Sequence, residues 1–374
     1  MKIQWIDNAF NCKATHGPFA VENDSEYYDD LKDRYSIIIK QVEKVGADKA
    51  SLDIIKRFKK KILEALLSYY KADVAKCNII IKNLVKEVGE NTFAVDEVQN
   101  SQAFIGNHLT EIQFYRGRTG NPSSKSFSVK DMVHLPRKLR AKSGNYRFSI
   151  SGNPSLYLAN SSYGCWIELG MPADNEFNVS PVLLDGTQKI LNLTVSFLDK
   201  GEDFEWLDYE QFFCWLKLCM LSMATSYRIT ETGRTCKSEY IISQAIMMAC
   251  KKLRYDGLAY CSKRVSSDTF ALPAINLALF VNYNGEYSDI LSHMKMDNAY
   301  NYGMYKQLLS SIDYKKYNLR SVNTGCITNI GSWERQYPYK ETKFYEFDQF
   351  LFASWRDKPD GKGKDEISFG VPID

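Results

Sequence analysis

The chain has 374 residues, enough for two or three units each with its own core, and its 44% hydrophobic and 25% charged residues are ordinary for a folded protein in water. A formal net charge of only +3 gives no reason to expect a nucleic-acid partner, and 24 Tyr with 20 Phe argue against long disordered stretches. Nine cysteines, scattered at 12, 77, 165, 214, 219, 236, 250, 261 and 326, form no close doublets of the zinc-binding kind and speak against a secreted disulfide framework. The start MKIQWIDNAFN has no apolar core of signal-peptide length, so the expectation is a reduced, cytoplasmic protein.

Residues 1–50 mix polar and aromatic positions without a clean period, although Tyr27–Lys44 can form a helix. From Ser51 to Gly89 the pattern is clear. Ile54, Ile55, Phe58, Ile62, Leu63, Leu66 and Leu67 recur at the spacing of one helical face. After a break at Tyr70–Asp73, with Asp73 as N-cap, a second apolar face follows at Val74, Cys77, Ile80, Ile81, Leu84, Val85 and Val88, stopped by Gly89. The pair reads as two antiparallel helices. The cations Lys56, Arg57, Lys59, Lys60 and Lys61 on the first of them read as a solvated helix face rather than as a contact surface for RNA or an acidic partner.

From Ile112 onward short strand-like runs alternate with polar turns at Asn121–Ser128 and Lys142–Asn145. Leu156 and Leu158 on one side, Trp166 and Ile167 on the other, bracket a turn at Asn160–Ser162. In Lys189–Leu198, Leu191, Leu193, Val195 and Phe197 alternate with Asn192, Thr194 and Ser196, which predicts a half-buried strand. Leu207–Ala224 predicts a buried helix: its apolar run Phe212–Ala224 is too short to span a membrane and contains Lys217. Ser238–Arg254 predicts a further helix with Ser238 as N-cap, followed by strands at Gly257–Tyr260 and Ile275–Val281. Helices are expected at Tyr300–Asp313 and Phe344–Trp355, and a surface loop at Asp357–Glu366. No internal repeat is visible. Long helices with separated strands suggest an α+β fold, a twisted sheet with helices on its faces.

Chemistry concentrates in Tyr146–Gly170, YRFSISGNPSLYLANSSYGCWIELG, which joins Arg147, Tyr157 and Glu168 in one strand-turn-strand-helix unit. Glu168 stands among Cys165, Trp166, Ile167 and Leu169, where a lone carboxylate is costly to bury without a partner. The plainer reading places it on the exposed side of a helix start, favoured by the helix dipole. The segments FYRGR (Phe114–Arg118), SQAIMMACKKLRYDG with Gln244, YDGLAYCSKR (Tyr255–Arg264) and AINLALF with Asn276 complete the set. Asp256–Gly257 is turn chemistry and reads as structural. The four histidines (16, 108, 134, 293) are dispersed, and none is placed to activate a serine nucleophile.

In order and combination these segments, spanning about residues 112–281, resemble the RES family, named for its arginine, glutamate and serine. The pattern departs from the family's at Asn145–Tyr146, where a glycine usually precedes the arginine, and at Ser149, which replaces the usual asparagine. The resemblance implies an ADP-ribosyltransferase-like twisted split sheet with helices, covering 110–285. An N-terminal helical region at 1–98, with its two-helix hairpin at 51–89, precedes it, and a C-terminal extension at 286–374 packs on it. It implies an NAD-consuming enzyme, a glycohydrolase or phosphorylase, with NAD as substrate and no metal. In it Glu168 would stabilise an oxocarbenium-like sugar, Arg116 and Arg147 would hold the pyrophosphate with Arg118 as a neighbouring substitute, Tyr157 and less strongly Tyr115 would face the nicotinamide, and Ser262 would be a hydrogen-bonding group. A toxin or phage-defence effector silenced by an antitoxin or regulatory protein is the implied setting. The extra helices would suit trigger sensing or a homo-oligomer; neither membrane nor nucleic acid is implied. An ADP-ribosyltransferase acting on a macromolecule, and an inactive NAD-binding module, are the competing readings.

Overall fold

In a computed structural model, the described residues are 14–15, 17–21, 26–104, 112–121, 126–195, 207–231, 233–264, 274–308, 329–331 and 336–356. The apolar periodicity of the first hundred residues builds three helices: α1 (Glu26–Lys44), α2 (Lys49–Tyr70) and α3 (Val74–Val88). Helix α1 buries Tyr27, Leu31, Tyr35, Ile38 and Val42, one face at helical spacing. Asp48 caps α2 through Ser51 N, Asp73 caps α3 through Lys76 N, and Gly89 ends α3, as the sequence predicts for the last two. The cations of α2 are paired along its surface: Lys56 with Glu43 (2.7 Å), Arg57 with Glu87 (2.7 Å), Lys61 with Glu64 (3.0 Å), and Lys59 on the Ser36 hydroxyl (2.7 Å).

Apart from two short hairpins (Tyr283–Asn284 with Tyr287–Ser288, and Asn329–Gly331 with Gln336–Pro338), the strands among the described residues are β1 (Val95–Glu97), β2 (Ile112–Thr119), β3 (Ser155–Ala159), β4 (Phe177–Leu184), β5 (Lys189–Leu193), β6 (Gly257–Cys261), β7 (Ile275–Phe280), β8 (Met294–Met296) and β9 (Tyr300–Asn301). They form one nine-stranded sheet in the order β1-β5-β6-β7-β3-β2-β4-β8, with β9 also paired to β4. Only β5 and β6 run parallel. A parallel pair needs a long crossover, and it carries α5 (Tyr209–Ala224) and α6 (Ile241–Lys252). Before it comes the short α4 (Ser162–Glu168), and after it α7 (Tyr302–Leu308) and α8 (Lys343–Arg356). The fold is α+β, with its helical region at the N-terminus.

Strand alternation sorts the core onto two faces. Tyr157, Ala278, Leu258 and Leu191 lie in register across four strands and meet α1, α2, α3, α5 and α6 in one large cluster. Leu156, Leu158, Leu277 and Leu279 point the other way, to Met132, Val133 and Leu291. A third, aromatic cluster lies where α4, α7 and α8 cover Tyr115, Phe177 and Val179.

Several elements differ from expectation. Strand β5 is not half-buried: it is interior to the sheet, covered on both faces, and Asn192 is buried with its side-chain oxygen accepting from Thr194 N (2.9 Å). Residues 196–198 of the expected strand lie outside the described residues, as does the Asp357–Glu366 loop. Ser238 opens a 3-10 turn, Ser238–Tyr240, rather than capping α6 directly. Tyr300 and Asn301 are strand, and α7 starts at Tyr302. Among the described residues no helix is long and apolar enough to cross a membrane, and Lys217 of α5 reaches Glu87 (2.9 Å).

Glu87 thus joins α2, α3 and α5. The hydrogen bond from Arg57, with that from Lys217, holds its carboxyl down at about 2 against the opposing effect of burial. A depressed carboxyl contributes stability above its unfolded pKa of about 4.3 that is lost as pH falls towards 2. Glu87→Gln is expected to destabilise the fold by about 1–2 kcal/mol at pH 7, allowing for solvent screening. Denaturant titration at pH 7 and pH 3 checks this: the gap between variant and parent should narrow at the lower pH.

Candidate active site

Helix α4 lies directly on β2 because residue 117 is glycine. A Cβ there would stand 2.8 Å from Cys165 Cβ and 2.9 Å from Leu169 Cδ1, closer than such atoms approach. The helix starts at Ser162, N-capped by the Ser161 hydroxyl, which accepts from Gly164 N (2.9 Å), and ends at Glu168. This corrects the expected helix-start position. Glu168 sits at the negative end of the dipole, which opposes a carboxylate, so the dipole cannot be what keeps it there.

What holds it is the sheet. Asn276 of β7 donates its side-chain amide to Glu168 Oε1 (2.7 Å), and Arg264 Nε lies 4.0 Å from Oε2. Asn276 is buried opposite Ala159 on one side and Tyr260 on the other, so all three face α4. The Glu168 side chain keeps 28% of its exposure, one oxygen held and the other turned towards a mobile-length, 60%-exposed arginine. Burial pushes the Tyr260 hydroxyl well above its ordinary value; Glu168 and Tyr157 add to this and Arg147 opposes it.

Ser262 follows β6 directly. Its amide donates to Ala274 O (2.8 Å), and its buried hydroxyl accepts from Arg264 N (3.3 Å). Lys263 makes no hydrogen bond or ion pair to any described residue. Burial pushes its amine down, with Arg147 adding and Cys261 and Glu168 opposing. Sequence reasoning missed Tyr260, Lys263 and Arg264 as members of this group; the adjacent cations in CSKR were the available signal.

The arginines expected at the site are anchored to main chain. Strands β2 and β3 pair only where Tyr115 faces Ala159. Across that narrow joint Arg116 donates from Nε to Met132 O (3.1 Å) and from Nη1 to Tyr157 O (3.0 Å). Burial lowers its pKa, the Cys165 thiol opposing. Arg147 donates to Thr225 O and to Tyr227 O (2.7 Å), just past the end of α5, and lies 5.5 Å over the Tyr240 ring. Its loop is pinned by Gln244, whose amide donates to Tyr146 O (3.1 Å) and Ser149 O (3.3 Å). Tyr157 shares a hydrogen bond with Ser149 Oγ (2.6 Å) and accepts from Phe148 N (3.3 Å). Arg118 is exposed, donates to Asp131 O and lies over Phe127 (4.4 Å). Tyr115 is wholly buried under α8, edge-on to Phe352 (5.4 Å). His134 uses both ring nitrogens on Leu135 O and Ser288 N. Among the described residues no cluster of His, Cys, Asp and Glu has the geometry of a metal site. Asp256 and Gly257 are structural: Asp256 Oδ2 accepts from Lys189 N (2.8 Å), and a Cβ on Gly257 would lie 2.5 Å from Ala278 O.

No family model matches the chain. Over 182 residues it is 33% identical to a protein of Bacillus subtilis (strain 168) described as putative toxin YopC, covering 46% of this chain and 40% of that protein. The chain therefore spans well under half the length of this relative. A chain of the M. tuberculosis MbcT-MbcA toxin-antitoxin complex is covered over 97% of its length by 61% of this chain, at 12% identity and a TM-score of 0.29, a likeness too slight to bear on the fold.

Arg147→Ala removes two charge-assisted bonds to carbonyls at the end of α5. A loss of about 2–3 kcal/mol is expected, read as a lower urea midpoint with an unchanged slope. An unchanged midpoint would mean that water serves those carbonyls equally well.

Proposed function

We propose that the chain is a toxin-type enzyme that consumes NAD by breaking the nicotinamide–ribose bond, by hydrolysis or phosphorolysis. The observation that carries this reading is Glu168: a partly buried carboxylate at the unfavourable end of a short helix, held through one oxygen by a buried asparagine and facing an exposed arginine at 4.0 Å with the other. The local relative described as a putative toxin supports the setting.

The chemistry suits one carboxylate. Nicotinamide leaves NAD as a neutral molecule from a cationic ring, so no general acid is needed. The sugar passes through an oxocarbenium-like state, as in glycoside hydrolysis. Glu168, fixed by Asn276, would accept from the ribose hydroxyls and oppose the positive charge that develops on the sugar. The Tyr157 ring, its hydroxyl tied to Ser149 and Phe148, would lie against the cationic nicotinamide. Arg116 and Arg147 each give two hydrogen bonds to main-chain carbonyls, which fix their planes; their remaining N–H groups would meet the pyrophosphate. Lys263 and Arg264 add positive charge beside Ser262. NAD is then a substrate, no metal enters, and an antitoxin or other regulatory protein is the expected partner.

Nicotinamide release from NAD by the purified chain, with and without phosphate, tests the reading. Glu168→Gln should lower the rate by roughly 100- to 1,000-fold or more while leaving the fold intact, and equal rates would remove Glu168 from the chemistry. A phosphate requirement means phosphorolysis; label transferred to a macromolecule means an ADP-ribosyltransferase. In the Glu168→Gln background Arg116→Ala should weaken NAD binding measured by calorimetry, and unchanged affinity would take Arg116 out of the pyrophosphate site.

A further inference from the structure

Helix α4 has only seven residues, with Gly164 inside it, and a helix this short does not hold itself together. Its C-terminal end is tied by Asn276; its N-terminal end is tied by α8. Asp348 of α8 is wholly buried, and its Oδ1 accepts from Ser162 N (3.0 Å), the first amide of α4. Its Oδ2 accepts from Tyr339 Oη (2.5 Å). The same segment covers the rest of the helix: Phe344 packs on Tyr163 (5.2 Å between ring centroids) and on Trp166 (5.5 Å), and its carbonyl accepts from Ser162 Oγ (3.4 Å). No described cation pairs with Asp348, and its two oxygens are taken up by these hydrogen bonds.

We propose that Asp348 is a positioning residue, through which the C-terminal segment holds α4 on the sheet and so fixes the Glu168 carboxylate where Asn276 meets it. The catalytic consequence rests on the NAD-cleaving reading; the structural one does not. Burial pushes the Asp348 carboxyl up to about 7, and both protonation states keep two hydrogen bonds, since the Tyr339 hydroxyl can donate or accept. Asparagine reproduces the protonated form: its oxygen accepts from Ser162 N and its amide donates to Tyr339. Alanine keeps neither bond.

Full-length Asp348→Ala and Asp348→Asn are compared by amide hydrogen exchange without ligand and by nicotinamide-release kinetics. Alanine should speed exchange across 163–169 by about tenfold or more while α5 and α6 stay protected, and asparagine should remain close to the parent. For alanine kcat should fall roughly 10- to 100-fold with the KM for NAD little changed, and asparagine should restore it. Parental protection in the alanine variant, or equal loss in both variants, overturns the proposal. If the parent releases no nicotinamide, the reaction is wrong and exchange still decides the positioning role. If alanine unfolds the whole chain, Tyr339→Phe replaces it: faster exchange confined to 163–169 supports the clamp, and none overturns it.

Discussion

Glycine at 117 lets α4 and β2 touch backbone to side chain with no intervening layer, and the site's geometry descends from that contact. Cys165 then reaches Tyr115 O (3.4 Å), and Gly164 comes so near Ala159 that a Cβ there would stand 3.2 Å from the Ala159 Cβ. Small residues on facing positions bring helix and sheet together, and the helix end falls over β7. Glu168 arrives within hydrogen-bond reach of Asn276 because Ala159 and Asn276 are opposite one another in the register. A larger residue at 117 would lift the whole helix, and overpacking of this kind costs about 1–3 kcal/mol before any effect on the carboxylate.

The same strand carries the opposite constraint one residue earlier. The joint between β2 and β3 has a single residue pair, so the carbonyl of Tyr157 would face a gap; Arg116 fills it. A guanidinium partly removed from water is costly unless its donors find acceptors, and Met132 O and Tyr157 O supply them. Arg147 is treated likewise at the end of α5. Both cations are therefore fixed by main-chain acceptors, whereas Arg264, two residues past Ser262, is 60% exposed and lies 4.0 Å from Glu168 Oε2.

The legible parts of this molecule are those set by neighbours in sequence. The α2–α3 hairpin is one: its apolar spacing, the Asp73 cap and the Gly89 stop are all local, and all appear. The strands Gly257–Cys261 and Ile275–Phe280 are another, because continuous apolar runs bounded by turns leave little choice. Strand β5 misled because Asn192 and Thr194 bond to each other and so satisfy polar groups on a face that is nonetheless covered. The sequence marks Glu168 and Ser262 but not the end of the helix on which Glu168 lies, since Ser161 as N-cap becomes visible only through its bond to Gly164 N. The roles of Arg116 and Arg147 in bonding main-chain carbonyls depend on partners up to 80 residues away, and Asp348 meets Ser162 across 186 residues. No window of sequence contains such pairs.

Glu168 is consequently supported from two unrelated parts of the chain. Asn276 acts on the carboxylate itself, and its effect is on orientation and charge. Asp348 acts on the opposite end of α4, about 9 Å away at 1.5 Å per residue, and its effect is on where the helix lies. A buried carboxyl with no described cation beside it is a poor way to add stability, because desolvation opposes it and an apolar residue of similar size would pack at least as well. Its advantage is directional: the bond from Ser162 N fixes where a short helix begins, and the bond from Tyr339 orients the carboxylate that accepts it, which a greasy contact does not. The aromatic rings of Tyr163, Trp166 and Phe344 supply the adhesion, and Asp348 supplies the registration. The C-terminal segment is on this account part of the site's scaffold, although none of its described residues belongs to the group around Glu168.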